Sequence, residues 1–150
     1  MYLKPWNYQE ILHHHAAKGT LSLTGANQGN YEHTKYLDRG DLGSIRKTNR
    51  SFPTGSFTAQ LTDLADASNN TLWDAVNRTG SFAAAVSTLG ANADLYTLSI
   101  SLVVEGSNFG GSETDHTLLM NNCRCSIDFA EGDPNSFTIN FEVLGTITAT

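Results

Sequence analysis

Four short stretches of this chain alternate apolar and polar residues with a period of two. A polypeptide so patterned can hide only one side of an extended ribbon. The longest stretch runs from Tyr96 to Glu105, with Tyr96, Leu98, Ile100, Leu102 and Val104 on one side and Thr97, Ser99, Ser101 and Glu105 on the other. Cys123, Cys125, Ile127 and Phe129 alternate with Arg124, Ser126 and Asp128. Phe137, Ile139, Phe141 and Val143 alternate with Thr138, Asn140 and Glu142. Phe57, Ala59 and Leu61 alternate with Ser56, Thr58, Gln60 and Thr62. Successive strand side chains point to opposite faces, so each stretch is a half-buried strand. Several such strands imply an antiparallel sheet packed on one core. The expected core residues are Leu98, Ile100, Leu102, Ile127, Phe129, Ile139 and Phe141.

The 150 residues are expected to form one main domain with a core of useful size. A formal charge of −6 disfavours a nucleic-acid-binding groove, which needs clustered cations, but suits a surface that a polyanion slides past. The charge is unevenly spread. Lys35, Arg39, Arg46, Lys47 and Arg50 form a basic cluster, whereas the second half is dominated by acids, among them Asp94, Glu105, Glu113, Asp115, Asp128, Glu131, Asp133 and Glu142. One reading is two ordinary solvated surfaces. The other is a polar molecule whose basic end meets the acidic end of a neighbour.

Residues 1–18 are expected to form an N-terminal arm ahead of a β domain over 19–150. Tyr2, Leu3, Trp6, Tyr8, Ile11 and Leu12 are large and apolar without a clean period. Such an arm suits packing on another subunit, although an ordinary first strand is also compatible. His13, His14 and His15 read as structural or exposed rather than as metal ligands, because consecutive strand residues cannot all point one way. Cys123 and Cys125, two apart on one strand face, are expected to be buried free thiols. No opening segment resembles a secretory leader, so the Asn-x-Ser/Thr triplets at Asn49, Asn69 and Asn77 read as chance. No apolar run approaches membrane-spanning length.

Gly19–Thr24 and Tyr31–Leu37 read as short strands separated by the turn residues Gly25, Asn27, Gly29 and Asn30. Residues 38–54 show little periodicity and read as a long loop carrying the basic cluster. Residues 68–78 form the one good helix. Asn70 or Thr71 caps it, Leu72, Ala75 and Val76 face inward beside Trp73, and Gly80 stops it. Phe82–Leu89 reads as a further short strand. Chemistry-bearing motifs are missing: there is no phosphate-binding Gly-rich loop, no nucleophile elbow, no His-Glu-x-x-His and no calcium loop. Asp115 and His116 are neighbours, so their side chains diverge on a strand. The sequence therefore carries no expectation of enzymatic activity, a metal or a cofactor.

In the order of its pieces the chain resembles the tail tube (major tail) proteins of long-tailed bacteriophages. Gly19-Thr20-Leu21-Ser22-Leu23-Thr24 is similar to the early strand of that family. Tyr36-Leu37-Asp38-Arg39-Gly40-Asp41-Leu42-Gly43-Ser44-Ile45-Arg46-Lys47 resembles its long loop. Ser56–Asp63 followed by Thr71–Val76 is similar to its strand-then-helix step. Cys123–Phe129 with Ser136–Ile147 resembles its closing hairpin. The resemblance spans roughly residues 19–147. It implies an antiparallel β-sandwich or barrel-like domain with a flanking helix. Six copies would form a ring, and rings would stack head to tail into a tube in the virion tail, assembled in the host bacterial cytoplasm. Other tail proteins would be its partners, and genomic DNA would pass through the lumen without specific binding. In that setting Arg39, Arg46, Lys47 and Arg50 are candidates to contact Glu113, Asp115, Glu131 or Asp133 of the next ring. Two rival readings are a capsid decoration or head-to-tail connector protein, and a β-sandwich carbohydrate-binding module. For the latter, Trp6, Tyr8, Tyr31 and Trp73 are too scattered to make an aromatic row.

If the strand faces are assigned correctly, Ile100→Asp drives a charge into the core and yields no soluble folded protein. A folded mutant with native circular dichroism would show the face to be inverted. Reversing Arg46 and Lys47 to Glu is expected to leave melting behaviour intact and to reduce self-association measured by light scattering. Unchanged association would remove the basic segment from the contact.

Overall fold

The computed structural model describes residues 2–4, 11–12, 21–26, 31–60, 71–104, 115–132 and 135–150. Among these residues ten strands and one α-helix follow in chain order. They are β1 (Tyr2–Lys4), β2 (Ile11–Leu12), β3 (Ser22–Thr24), β4 (Tyr31–Asp38), β5 (Asp41–Arg50), β6 (Thr54–Gln60), α1 (Leu72–Asn77), β7 (Leu98–Val104), β8 (His116–Ala130), β9 (Ser136–Val143) and β10 (Ile147–Ala149). All strand pairs are antiparallel. One sheet has the order β2-β1-β7-β8-β9-β6-β3, with β10 also on β8, and β4 and β5 form a separate two-stranded sheet. The expectation of a mainly-β antiparallel domain with one flanking helix is met.

β8 is the spine. Its first half lies between β7 and β10, and its second half pairs with β9 from Cys123 to Ala130. The halves meet at a bulge: Leu98 pairs with Cys123 but Ile100 pairs with Met120. Asn122 takes the extra step at φ +54, a left-handed conformation that Asn tolerates better than most residues. The bulge flips the alternation, so that Met120 and Cys123 both reach the core fully buried. On the facing strand the chain breaks between β9 and β10 at Gly145. Its amide donates to the Asn121 carbonyl, and a Cβ there would sit 2.6 Å from that oxygen.

The core lies between one face of the sheet and a helical layer. Phe57, Ala59, Ile100, Met120, Cys123, Ile139, Phe141 and Val143 pack against Leu72, Ala75, Phe82 and Ala85. Of the expected core residues, Leu98, Ile100, Ile139 and Phe141 are buried, and Leu102 and Ile127 are half-buried. Phe129 is a correction: at the end of β8 it meets Phe137 edge-on with one side of its ring and is 52% exposed. The polar side of the Tyr96–Glu105 stretch is corrected as well. Thr97 is fully buried because its backbone and hydroxyl bond Ser87 and Thr88, at 2.7 to 3.1 Å. Ser101 is also buried. Cys123 and Cys125 are free thiols. Burial pushes the Cys123 thiol up to about 12 and the Cys125 thiol higher still, so both stay protonated near neutrality.

Three element assignments from the sequence need correction. Residues 38–54 are not a loop: after a two-residue turn they form β5 and the start of β6. The residues missed have no buried face, so apolar alternation had nothing to record. Phe82–Leu89 is not a strand; a 3-10 turn spans Gly80–Phe82, and the run beyond it is irregular. α1 is shorter than 68–78, and residues 68–70 lie outside the described ones. Thr71 caps it by accepting from the Asp74 amide, and Arg78 at φ +57 ends it rather than Gly80. Part of the N-terminal segment is strand in this chain's own sheet, where Tyr2–Lys4 pairs with β7. His13, His14 and His15 lie outside the described residues. Among the described residues no helix is long and apolar enough to cross a membrane.

The helix is tied down by a buried carboxylate. Asp74 accepts from the hydroxyls of Thr71 at 3.0 Å and Thr79 at 2.7 Å. Gly80, at φ +53, passes so close that a Cβ would lie 2.8 Å from the carboxyl carbon. Gly80→Ala combines left-handed strain with that clash and is expected to cost about 2 kcal/mol. Urea denaturation checks this, and a cost near zero would mean that the turn re-forms elsewhere.

Candidate assembly surfaces

Two features of the fold are left unpartnered among the described residues. The first is a run of four strands, β8-β9-β6-β3, whose register places polar residues in rows across one face. Ser126, Asn140, Ser56 and Ser22 make one row. Arg124, Glu142, Thr54 and Thr24 make the next, and Asp128, Thr138 and Thr58 make a third. Hydroxyl pairs bridge neighbouring strands at 3.2 Å (Ser22–Ser56) and 3.3 Å (Thr58–Thr138), and Asn140 donates to Asp128 at 2.6 Å. The first two rows line a shallow concavity of about 480 Å³. The sheet therefore curls with its hydroxyls inside the curve and its core outside. The rows hold one Arg and two carboxylates, a nearly neutral and slightly acidic surface.

Both borders of this run are open among the described residues. β7 leaves β8 at Cys123, so Arg124–Ala130 has β9 on one side only, and β3 has β6 on one side only. Unpaired edges offer N–H and C=O groups to another chain. The run has an even number of alternating strands. Its first and last members therefore run in opposite directions, and a seam between β3 of one copy and β8 of the next is antiparallel, like every pair inside the sheet.

The second feature is the β4–β5 hairpin. All of its residues are exposed. Arg39 and Gly40 form its tip at φ +52 and +92, the pair of left-handed conformations a tight hairpin turn requires. Isolated two-stranded hairpins are marginal in water. Even so, this one exposes Tyr31, Tyr36, Leu37, Leu42 and Ile45, each by 42% or more. Lys35, Arg39, Arg46, Lys47 and Arg50 oppose Glu32, Asp38 and Asp41, leaving the hairpin at +2. With a whole-chain charge of −6, the remainder carries −8.

The sequence candidates divide on this scaffold. Arg46 lies over the Tyr36 ring and Lys47 over the Tyr31 ring. Arg39 is at the tip. Arg50 is at the root, where its guanidinium donates to the carbonyls of Leu144 and Gly145 at 3.2 and 3.4 Å and covers Phe52. It fastens the hairpin to the break between β9 and β10. Asp115 and Glu131 flank opposite ends of β8, roughly 50 Å apart along an extended strand, so they do not form one patch. Glu113 and Asp133 lie outside the described residues. Tyr31 and Trp73 sit on separate elements, and Trp6 and Tyr8 are not described. The sequence did not reveal which edges are open or the anchoring role of Arg50. Neither leaves a trace in residue type or spacing.

No protein-family model matches the chain, and no curated protein is significantly similar to it. The fold is shared with a solved structure, the sheath/tube terminator of an extracellular contractile injection system (PVC) in its extended state. The TM-score is 0.52 at 13% sequence identity, over 99% of this chain and 91% of that one.

Proposed function

We propose that this chain is a structural subunit of a phage-tail-like tube, acting by self-assembly and without a catalytic step. The four-strand run β8-β9-β6-β3 carries this reading, with its concave polar face and its two directionally matched edges, open among the described residues. Joined edge to edge, copies of the run close into a barrel with hydroxyls lining the channel and the helical layers outside. Closure removes the exposed edges altogether. The tail tube resemblance supplies the expected number, six copies to a ring, and the cargo, genomic DNA. A channel of Ser, Thr and Asn with a slight acidic excess offers a polyanion few adhesive sites. Other tail proteins would be the partners at either end, and the tail of the particle the location.

The shared fold with a sheath/tube terminator favours a second place in the same assembly, the ring that ends the tube rather than the one repeated along it. Negative-stain microscopy with native mass spectrometry of the concentrated protein separates the two. Stacked rings of six support the repeating subunit, and single rings that never stack support the terminal position. A protein that stays monomeric across salt and concentration would overturn both.

A further inference from the structure

The two faces of the β4–β5 hairpin differ in kind. Register and alternation put Tyr31, Lys35, Leu37, Leu42, Ile45 and Lys47 on one face. The contact of Lys47 with the Tyr31 ring fits this assignment. Glu32, Asp38 and Asp41 fall on the other face, so the first is apolar and cationic with no carboxylate. Among the described residues, aromatic side chains are left partly exposed at the far end of the sheet. Trp73 stacks on Phe137 with ring centres 6.5 Å apart, and Phe129 meets Phe137 edge-on at 6.3 Å. Trp73 and Phe129 are 36% and 52% exposed, and Glu131 follows directly on the exposed end of β8. The hairpin root is bonded at Leu144 and this aromatic patch begins at Phe137, so the two lie at opposite ends of β9, roughly 24 Å apart.

We infer that the apolar, cationic face of the hairpin docks on the Trp73–Phe129–Glu131 patch of a second copy of this chain. Three observations select that occupant. The hairpin is positive and the remainder of the chain strongly negative. An exposed aliphatic face with lysines meets an exposed aromatic surface next to a carboxylate, a match in both apolar area and charge. The two surfaces lie at opposite ends of one strand, so the contact is heterologous and repeats head to tail rather than closing a pair. The inference rests on the proposed role in self-assembly and specifies its stacking contact. Arg50 then becomes a positioning residue that sets the hairpin's direction from its root.

The test uses two full-length variants, assembled into rings separately. Leu37→Asp with Leu42→Asp disables the hairpin face, and Phe129→Asp disables the patch. Circular dichroism and melting confirm that each is folded. Each alone is expected to stop at single rings, with stacking weakened by roughly tenfold or more. Mixed, they retain one good hairpin and one good patch between them, and should give paired rings that grow no further. A gentler pair keeps the test decisive if Phe129→Asp unfolds. Glu131→Lys and Lys47→Glu should each weaken stacking, and the combined variant should recover it. Normal stacking by folded patch variants would overturn this contact while leaving the ring reading intact. Wild-type protein that stops at single rings would also overturn it and would assign the hairpin to another tail component. Absence of any ring would overturn the proposed function itself.

Discussion

The hydrogen-bonding groups of a strand point alternately to its two sides, and β8 meets them with three different neighbours, leaving one side of its second half open among the described residues. β7 and β10 serve its first half, and β9 serves the second. The bulge at Asn122 and the close approach of Gly145 let the exchange occur without leaving the core unfilled. The remaining architecture follows from this division. The half with β7 on one side and β10 on the other is internally paired. The half with β9, β6 and β3 is open at both borders among the described residues, and from its root the hairpin projects.

The period-two pattern revealed the strands because one face of each is buried. Phe137, Ile139, Phe141 and Val143 follow it without exception. It failed where that asymmetry is absent. Tyr31–Leu37 was legible as a strand, but its partner Asp41–Arg50 is exposed on both faces, so its apolar residues looked like the irregular filling of a loop. The tip Arg39-Gly40 lacks the Asn-Gly or Asp-Gly pair that marks a hairpin most clearly. The bulge was equally hidden, since a single left-handed Asn shifts the parity of β8 and leaves no compositional mark. Phe129 was misplaced because alternation reports which face a residue takes, not how fully it is covered there. Thr97 was misplaced because a buried hydroxyl network can replace apolar packing.

The candidate site was legible only as chemistry. The basic cluster and the acidic second half could be counted, but their arrangement could not. Arg50 belongs to the chain's own scaffold, and Asp115 and Glu131 stand at opposite ends of a 15-residue strand. Strand pairing decides both facts, and pairing is long-range. The features that carry the proposed assembly are likewise non-local: an even run of strands, a polar concave face and, among the described residues, two borders without partners.

Because that account assigns the ring seam to particular edges, cryo-electron microscopy of the particle formed by the pure protein bears on it without intermediary. The reconstruction is expected to show Arg124–Ala130 of one copy hydrogen-bonded antiparallel to the β3 region of the next, with Ser56, Ser126 and Asn140 facing the channel. A ring held by other surfaces, with that edge open to solvent and those residues on the outside, would contradict it.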